Sequence, residues 1–354
     1  MADRIDLGRT SVNLEKLLRL CKRRGRILVL MQNNPDPDAI ASAMAIRTLV
    51  RHKLHKRVTL GYGGILGRAE NRAMVHELRV DTHRVTPDDL ERYTTLCLVD
   101  TQPRTGNNAL FTSRQADIVI DHHILTKKQV HRADLMDVRP EYGATSSILY
   151  EYLAASETPI DEDLATALYY GIESDTQVLG REACEVDIEV FQALVGLANM
   201  RKVARIRRAP LGPDYFNTLR SSLSNALVAG STVVSLVRDA QNPDIFAEMA
   251  ELLLRFENAR TAVCYGPCNN MIYLSARAGD ARGNVAMRMK RVVSRLGTGG
   301  GHRSMAGGQV PTTTDIDKRL KTIHQRILKH FAHQKECKPL LLPEDAKDRE
   351  AGNE

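Results

Sequence analysis

Apolar residues recur along this chain in one order: a short continuous run, a polar stop, then a segment with helical spacing. Residues 10–25 have that spacing, with Val12, Leu14, Leu17, Leu18 and Leu20 on one side and basic residues at the end. Residues 26–31 form an apolar run of strand length, and 32–35 are polar. Residues 39–50 return to a helical pattern. The runs at 58–62, 94–99 and 116–120 repeat the strand signal, and 143–153 and 163–171 repeat the helical one. Runs rich in β-branched residues and lacking alternation suit strands buried on both faces. Their alternation with helices predicts βαβ units and a mainly parallel sheet, hence an α/β fold.

The first domain is expected to span residues 1–195. Residues 201–208 carry five basic side chains and are followed by Pro210 and Pro213. Because proline stops helices, 196–215 reads as a basic linker. A smaller C-terminal α/β domain follows at 216–335, with strand candidates at 230–237, 261–265 and 271–276. The active-site cleft is expected between the two domains. The 336–354 tail is charged, contains proline, and is expected to fray. No internal repeat or low-complexity tract interrupts this plan.

The 43% hydrophobic and 26% charged content is that of a soluble globular protein. No apolar run reaches the roughly 20 residues that span a bilayer. The first residues also lack the basic-then-apolar order of a signal peptide. The six cysteines show no paired framework, which suits reduced thiols in a cytoplasm. The formal net charge of +7 favours an anionic partner such as a nucleotide or RNA, and the basic run at 201–208 is a candidate guide for an RNA backbone. With no Trp and 5% aromatic residues, a long base-stacking platform is not expected, which favours short substrates. A membrane partner is not expected, and a homodimer is compatible with the chain.

Four acidic stations share one setting. Asp36 and Asp38 follow the first strand, Asp100 ends the 94–99 run, Asp121-His122-His123 ends the 116–120 run, and Asp175 follows a helical segment. In a parallel sheet these strand ends lie side by side, so the acids converge from distant positions. Clustered carboxylates repel one another and do not ionise together without cations. An oxygen-rich set with imidazole suits Mn²⁺ or Mg²⁺. Two such ions about 4 Å apart can activate a water and stabilise phosphoryl oxygens.

The ordered set Asn34-Pro-Asp-Pro-Asp-Ala-Ile-Ala-Ser42, Leu98-Val-Asp-Thr101, Ile120-Asp-His-His123 and Glu173-Ser-Asp-Thr176 resembles the four motifs of the DHH phosphoesterases. Gly143-Ala-Thr-Ser-Ser147 is similar to that family's helix start between the third and fourth motifs. The resemblance implies two Mn²⁺ ions per site, with Mg²⁺ or Co²⁺ as substitutes. It places Asp36 on one metal, Asp38 on the other and Asp100 between them. His122 and Asp175 complete the second site, and His123 faces substrate phosphate. Asp100, His122 and His123 form the catalytic core, with Asp121 orienting it. Most of the family has a His four residues before the leading Asp, where this chain has Gln32. An amide oxygen in that metal position is neutral and a poorer donor, so the first site is expected to be weaker.

Residues 297–308 contain six glycines around Gly300, Gly301, His302 and Arg303. Such a run lets backbone N–H groups approach a ligand and form an anion nest. It is similar to the Gly-Gly-Gly-His loop of the DHH-associated C-terminal domain, and Ser275-Ala276-Arg277 resembles its companion Ser-x-Arg element. Gly300, Gly301, His302, Arg303 and Arg277 are therefore expected to bind substrate. The resemblance implies a Mn²⁺-dependent hydrolase for short oligoribonucleotides (nanoRNA) or 3′-phosphoadenosine 5′-phosphate (pAp). A phosphodiesterase for cyclic di-AMP or pApA is the alternative. A non-catalytic nucleotide-binding protein is the reading that Gln32 would favour. The glycine element argues against inorganic pyrophosphate or polyphosphate as substrate.

Overall fold

The run Ile27–Leu30 forms β1, and all four of its residues are buried. Their side chains divide between two cores: Ile27 and Val29 pack on one face of the sheet, Leu28 and Leu30 on the other. A strand covered on both faces cannot alternate polar and apolar residues, which explains the continuous run. The coordinates are those of a computed structural model, which describes residues 7–110, 114–124, 133–280, 283–301, 303–312, 315–333 and 336–341.

The chain divides into two units after Ala209. In the first, α1 (Leu7–Cys21) precedes β1, α2 (Pro37–Leu54), β2 (Val58–Tyr62), α3 (Ala69–Glu77), β3 (His83–Arg84), α4 (Pro87–Leu90) and β4 (Thr95–Val99). Then come β5 (Ile118–Asp121), β6 (Leu135–Val138), α5 (Thr145–Ala155), α6 (Glu162–Asp175), α7 (Glu185–Val195) and α8 (Met200–Arg207). The described strands lie in the order β3-β2-β1-β4-β5-β6, and every pairing is parallel. The order reverses between β1 and β4, which opens a crevice at their carboxyl ends. Register aligns Leu30 with Leu98, and Leu98 with Val119. Gln32, Asp100 and Asp121 each stand two residues further on, so they leave the sheet at one level.

The 201–208 run, read from the sequence as part of a connector, is helix α8 of the first unit. Its Val203 and Ile206 are buried in that unit's core. Lys202 pairs with Glu162 and Asp163, Arg205 with Glu77, and Arg207 with Glu173. Apolar anchoring at two helically spaced positions, with acids opposite three of the five cations, holds the run on its own unit.

The second unit contains α9 (Pro213–Ser224), β7 (Ala226–Ala229), β8 (Thr232–Leu236), α10 (Ile245–Leu253), β9 (Thr261–Cys268) and β10 (Met271–Ala278). These are followed by α11 (Val285–Val293), β11 (Thr298–Gly301), β12 (Met305–Pro311), α12 (Ile316–Phe331) and β13 (Lys338–Pro339). The sheet is mixed, in the order β11-β12-β10-β9-β8-β7-β13, with β8 and β9 parallel and the other pairs antiparallel. Helices α11 and α12 cover one face, and α10 covers the other. The expected strand over 230–237 begins instead at a turn, with Gly230 at φ 65° between β7 and β8.

The described residues of 297–308, read from the sequence as a glycine-rich loop, build two paired strands. β11 runs antiparallel to β12, with Gly299 opposite Gly308 and Gly300 opposite Gly307. A Cβ at Gly299 would lie 2.9 Å from a Val293 methyl, and one at Gly308 would lie 3.0 Å from Met289 Sδ. The glycines thus admit α11 against the hairpin. The expected frayed tail also departs from expectation at its start, where Lys338 and Pro339 pair with β7. Proline is tolerated there because β13 is an edge strand. Residues 342–354 lie outside the described residues. Among the described residues, no helix is long and apolar enough to cross a membrane, and the six cysteines are free thiols.

β6 carries a buried acid, Asp137, that takes both Nε and Nη2 of buried Arg139 at 2.9 and 2.7 Å. Burial alone would raise the Asp137 pKa, but the hydrogen bonds and charge of Arg139, with Tyr152 and Arg9, outweigh it and hold the carboxyl below its ordinary 3.8. A depressed carboxyl stabilises the fold above its unfolded pKa and loses that contribution as pH falls through the folded value. Unfolding of the Asp137→Asn variant is therefore expected to show about 3–5 kcal/mol lower stability at neutral pH. It should also show a shallower loss than wild type below about pH 4, where the Asp137 contribution titrates. Parallel pH profiles for the two proteins would contradict this.

Candidate metal centre

The centre is built at the carboxyl ends of β1, β4 and β5, with one further acid from a helix terminus. Asp36 caps α2: its Oδ1 accepts the Ala39 N–H at 2.9 Å, and Pro37 stands at the first helical position, where its missing N–H costs nothing. Asp38 lies in the first turn and is buried. Its two oxygens accept the backbone N–H groups of Thr145 and Ser146 at 2.7 and 2.8 Å. These are amides that the N-terminus of α5 cannot satisfy internally. Asp100 follows β4 with φ 54°, a left-handed conformation that costs a non-glycine residue about 1–3 kcal/mol. Its Oδ1 accepts the Thr145 hydroxyl at 3.0 Å. Asp175 is the last residue of α6 rather than a loop residue beyond it. A carboxylate at a helix C-terminus faces the negative end of the dipole, so this position opposes stability unless a cation is present.

The two histidines are held differently. His122 Nδ1 lies 3.1 Å from the Tyr142 carbonyl oxygen, which can only accept, so Nδ1 carries a proton and donates it. His122 Nε2 points into the acids, 2.9 Å from Asp175 Oδ2 and 3.6 Å from Asp100 Oδ1. His123 Nδ1 lies 2.8 Å from Asp121 Oδ1, and the His123 side chain is 40% exposed. Asp121 is fully buried, and its other oxygen accepts the Gln102 side-chain N–H at 2.7 Å. Asp121 thus orients His123 and stands behind it.

Burial and mutual repulsion set the charge states. Burial, then Asp36, Asp38, Asp121 and Asp175, push the Asp100 carboxyl well above its ordinary range. Burial and Asp175 push Asp38 up to about 7, and burial followed by Asp175 also raises Asp36. Burial opposes an imidazolium at His122, but the Asp175 hydrogen bond and the charges of Asp175, Asp38 and Asp121 outweigh it and push the pKa up to about 10. Burial would likewise raise Asp175, yet His122 and His123 hold it below the usual value.

Asp100 Oδ2 is buried with no hydrogen-bond partner, and His122 Nε2 is buried facing carboxylate oxygens, with Asp175 Oδ2 at 2.9 Å. With Nδ1 already donating, a neutral His122 aims its lone pair at carboxylate oxygens. That arrangement is repulsive unless a proton or a cation lies between them. Candidate ligand atoms of Asp38, His122 and Asp175 lie within 4.8 Å of one another, as do those of Asp100, His122 and His123. The residues therefore fit a hard or borderline divalent cation. The His122 geometry, with one nitrogen fixed by a carbonyl and the other aimed at the acids, is that of a metal-ligating histidine.

Gln32 is turned toward Asp36: its Nε2 donates to Asp36 Oδ2 at 2.6 Å. The amide proton thus occupies an oxygen of Asp36 that the sequence reading left for a metal. Thr145, Ser146, Gln102 and the Tyr142 carbonyl join the centre without having been singled out. The Gly143–Ser147 helix start signalled the first two, but no pattern signals a backbone acceptor. In the second unit, Arg277 lies on β10, its Nε on Glu251 at 3.0 Å and its Nη1 on the Ser275 hydroxyl at 3.0 Å. Gly300 has open space where a Cβ would project, whereas Gly301 adopts φ 133° and its Cβ would meet the Met305 carbonyl oxygen at 2.3 Å. Arg303 is exposed in the adjoining turn. His302 lies outside the described residues.

A parallel sheet with acids and a histidine pair at its switch point, followed by a mixed-sheet unit, defines the class. The chain belongs to the DHH family: the DHH family N-terminal domain matches residues 26–172, and the DHHA1 domain matches residues 229–329. It is 33% identical over 291 residues to the uncharacterized protein MJ1633 of Methanocaldococcus jannaschii, covering 82% of this chain and 59% of that protein. It is 26% identical over 179 residues to a probable manganese-dependent inorganic pyrophosphatase of Enterococcus faecalis, covering 49% and 56%. The chain thus spans 59% and 56% of the lengths of these two relatives. In fold it is similar to an exopolyphosphatase-related protein from Bacteroides fragilis, at a TM-score of 0.68 and 15% identity, over 90% of this chain and 96% of that one. It is also similar to RecJ from Thermus thermophilus in complex with Mn²⁺, at 0.51 and 15%, over 98% and 58%.

Replacing Gln32 by His exchanges a donor on Asp36 for an imidazole. The Gln32→His variant is expected to need roughly tenfold less Mn²⁺ for half-maximal occupancy of its weaker site. Calorimetric titration of the metal-free proteins checks this, and tighter binding by wild type would refute it.

Proposed function

We propose that this chain is a metal-dependent phosphoesterase that hydrolyses short oligoribonucleotides or pAp, with Mn²⁺ as the working ion. The observation that carries the reading is the buried Asp100 Oδ2, which has no hydrogen-bond partner, beside His122 Nε2, which faces the carboxylates of Asp175 and Asp100 at the switch point of the sheet. Asp36, Asp38, Asp100, His122 and Asp175 would hold two cations, with Asp100 shared and Gln32 tuning Asp36. Bound there, the cations would lower the pKa of water and neutralise charge on a phosphoryl group. A relative bearing the name of a manganese-dependent pyrophosphatase supports both the ion and phosphoryl chemistry.

The protein's own groups supply the rest. Asp121 accepts the His123 Nδ1–H and its charge favours the imidazolium over the opposing effect of burial, and in that form the Nε2–H of His123 would donate to a phosphoryl oxygen or act as an acid toward the leaving oxygen. Thr145 and Ser146 fix Asp38, and the Thr145 hydroxyl fixes Asp100, so the acids need no reorganisation during the reaction. In the second unit, Arg277 is the candidate phosphate ligand, held by Glu251 and Ser275 in a defined orientation. Gly300, Gly301, His302 and Arg303 are the candidates to line a nucleotide there. The +7 formal charge suits such polyanionic partners.

The test is turnover with Mn²⁺ on pApA, pGpG, five-residue RNA, pAp, cyclic di-AMP and pyrophosphate. Cleavage of the short RNAs or pAp is expected, with a loss of at least about a hundredfold in Asp100→Ala. Preferred cleavage of pyrophosphate or cyclic di-AMP would replace the substrate assignment, and cleavage of none would end the enzyme reading. Arg277→Ala is expected to raise KM about tenfold or more while metal affinity stays at the wild-type value. An unchanged KM would remove Arg277 from substrate binding.

A further inference from the structure

From the end of β6 into the first turn of α5 the chain runs from Arg139 to Ser146, and this segment touches three residues of the metal centre. The Tyr142 carbonyl accepts His122 Nδ1–H at 3.1 Å. The Thr145 and Ser146 amides bind both oxygens of Asp38. The Thr145 hydroxyl donates to Asp100. A segment largely outside regular structure that places three ligands must itself be held, and its holder is a buried ionic network on the side away from the acids. Arg139 is 1% exposed. It gives Nε and Nη2 to Asp137 at 2.9 and 2.7 Å, Nη1 to Glu151 Oε2 at 2.6 Å, and Nη2 to Thr10 Oγ1 at 2.8 Å. The Tyr142 hydroxyl donates to Glu151 Oε1 at 2.6 Å, and the Thr10 hydroxyl to Glu151 Oε2 at 2.7 Å. The Tyr152 hydroxyl donates to Asp137 at 2.8 Å. The segment's far end is pinned by Asp187, which accepts the Gly143 N–H at 2.7 Å.

We propose that Arg139, with Asp137, Glu151 and Tyr142, is a positioning device for the metal centre, fixing the Tyr142 carbonyl that sets the His122 tautomer and the α5 amides that aim Asp38. The inference rests on the metal-centre reading given above. Tyr142 is the bridge: its hydroxyl lies in the network and its carbonyl lies on His122. Buried ion clusters are weak sources of stability, because desolvation offsets their attraction and an apolar replacement often serves as well. A cluster with two acids, two guanidiniums (Arg139 and the half-exposed Arg9, whose Nη2 lies 2.9 Å from Asp137 Oδ1) and three hydroxyls makes physical sense as a device that defines one geometry. Partners that orient ligating histidines change metal affinity by about 10–100-fold when removed.

The full-length chain is stripped of metal and titrated with Mn²⁺ alone, free Mn²⁺ being followed by its paramagnetic resonance and thermal unfolding being recorded in parallel. Arg139→Met is expected to weaken Mn²⁺ binding by about 10–100-fold. Tyr142→Phe keeps the carbonyl but frees it from Glu151, so several-fold weakening is expected with a smaller loss of stability than in Arg139→Met. Leu17→Ala removes core packing in α1, and it should lower the unfolding temperature while Mn²⁺ affinity stays unchanged. Should Arg139→Met fail to fold, Tyr142→Phe and Glu151→Gln decide the matter. A folded network variant that binds Mn²⁺ as wild type does, or a Leu17→Ala variant weakened as much as the network variants, overturns the proposal. Because binding is read without substrate, a protein that hydrolyses nothing yet shows these shifts ends the phosphoesterase reading and leaves the positioning role standing. A wild type that binds no Mn²⁺ overturns both.

Discussion

Mutual repulsion among buried carboxylates is the constraint on which the first unit depends. Asp36, Asp38, Asp100, Asp121 and Asp175 converge around two imidazoles, and burial removes the water that would screen them. Without a cation, only protons can relieve the strain: Asp100 and Asp38 rise in pKa, while His122 is driven toward the imidazolium. Each shift has the direction that a bound divalent ion would reverse, since a cation favours the ionised acid and the neutral imidazole. The surrounding hydrogen bonds are consistent with that second state. Backbone amides hold Asp38 as an acceptor, and the Tyr142 carbonyl leaves His122 Nε2 as the nitrogen facing the acids.

Several local costs are intelligible only against that constraint. Asp100 occupies left-handed backbone immediately after a fully buried strand, and Asp175 places a carboxylate at the wrong end of a helix dipole. Gly171 shows how closely α6 must approach. A Cβ there would lie 2.6 Å from Ser146 Oγ and 3.2 Å from the Asp38 Cα, so only glycine lets Asp175 reach the group while α5 keeps its amides on Asp38. Local strain of this kind persists where the surrounding packing over-determines it, and it concentrates at functional sites.

Much of this was legible in the residue order. Continuous apolar runs at 26–31, 94–99 and 116–120 announced doubly covered strands, and the acid ending each polar stop announced the switch point. What escaped had no pattern to carry it. β6 is an edge strand of four residues whose buried Asp137 breaks the apolar signal. α8 looked like a connector because its basic side chains hid the two apolar anchors, Val203 and Ile206. The glycine hairpin resembled a loop because close approach to α11, which demands its glycines, is a tertiary fact. The Tyr142 carbonyl is invisible in principle, since every residue has one.

Gln32 makes the two halves of the centre chemically unequal. On one side, Asp38, His122 and Asp175 offer an imidazole whose orientation is fixed and two acids with opposite shifts, one raised by burial and one lowered by His122. On the other, Asp36 gives one oxygen to the Ala39 N–H and the other to the Gln32 amide, so neither oxygen is free of a proton donor. A carboxylate oxygen has more than one lone pair, so Asp36 can still ligate, but each hydrogen bond draws charge from the atom that would do so. The amide also supplies no charge of its own and no soft nitrogen. Metal affinity at an oxygen-rich site follows ligand charge and number, so in the proposed two-ion centre the side served by Asp36 would fill last and empty first.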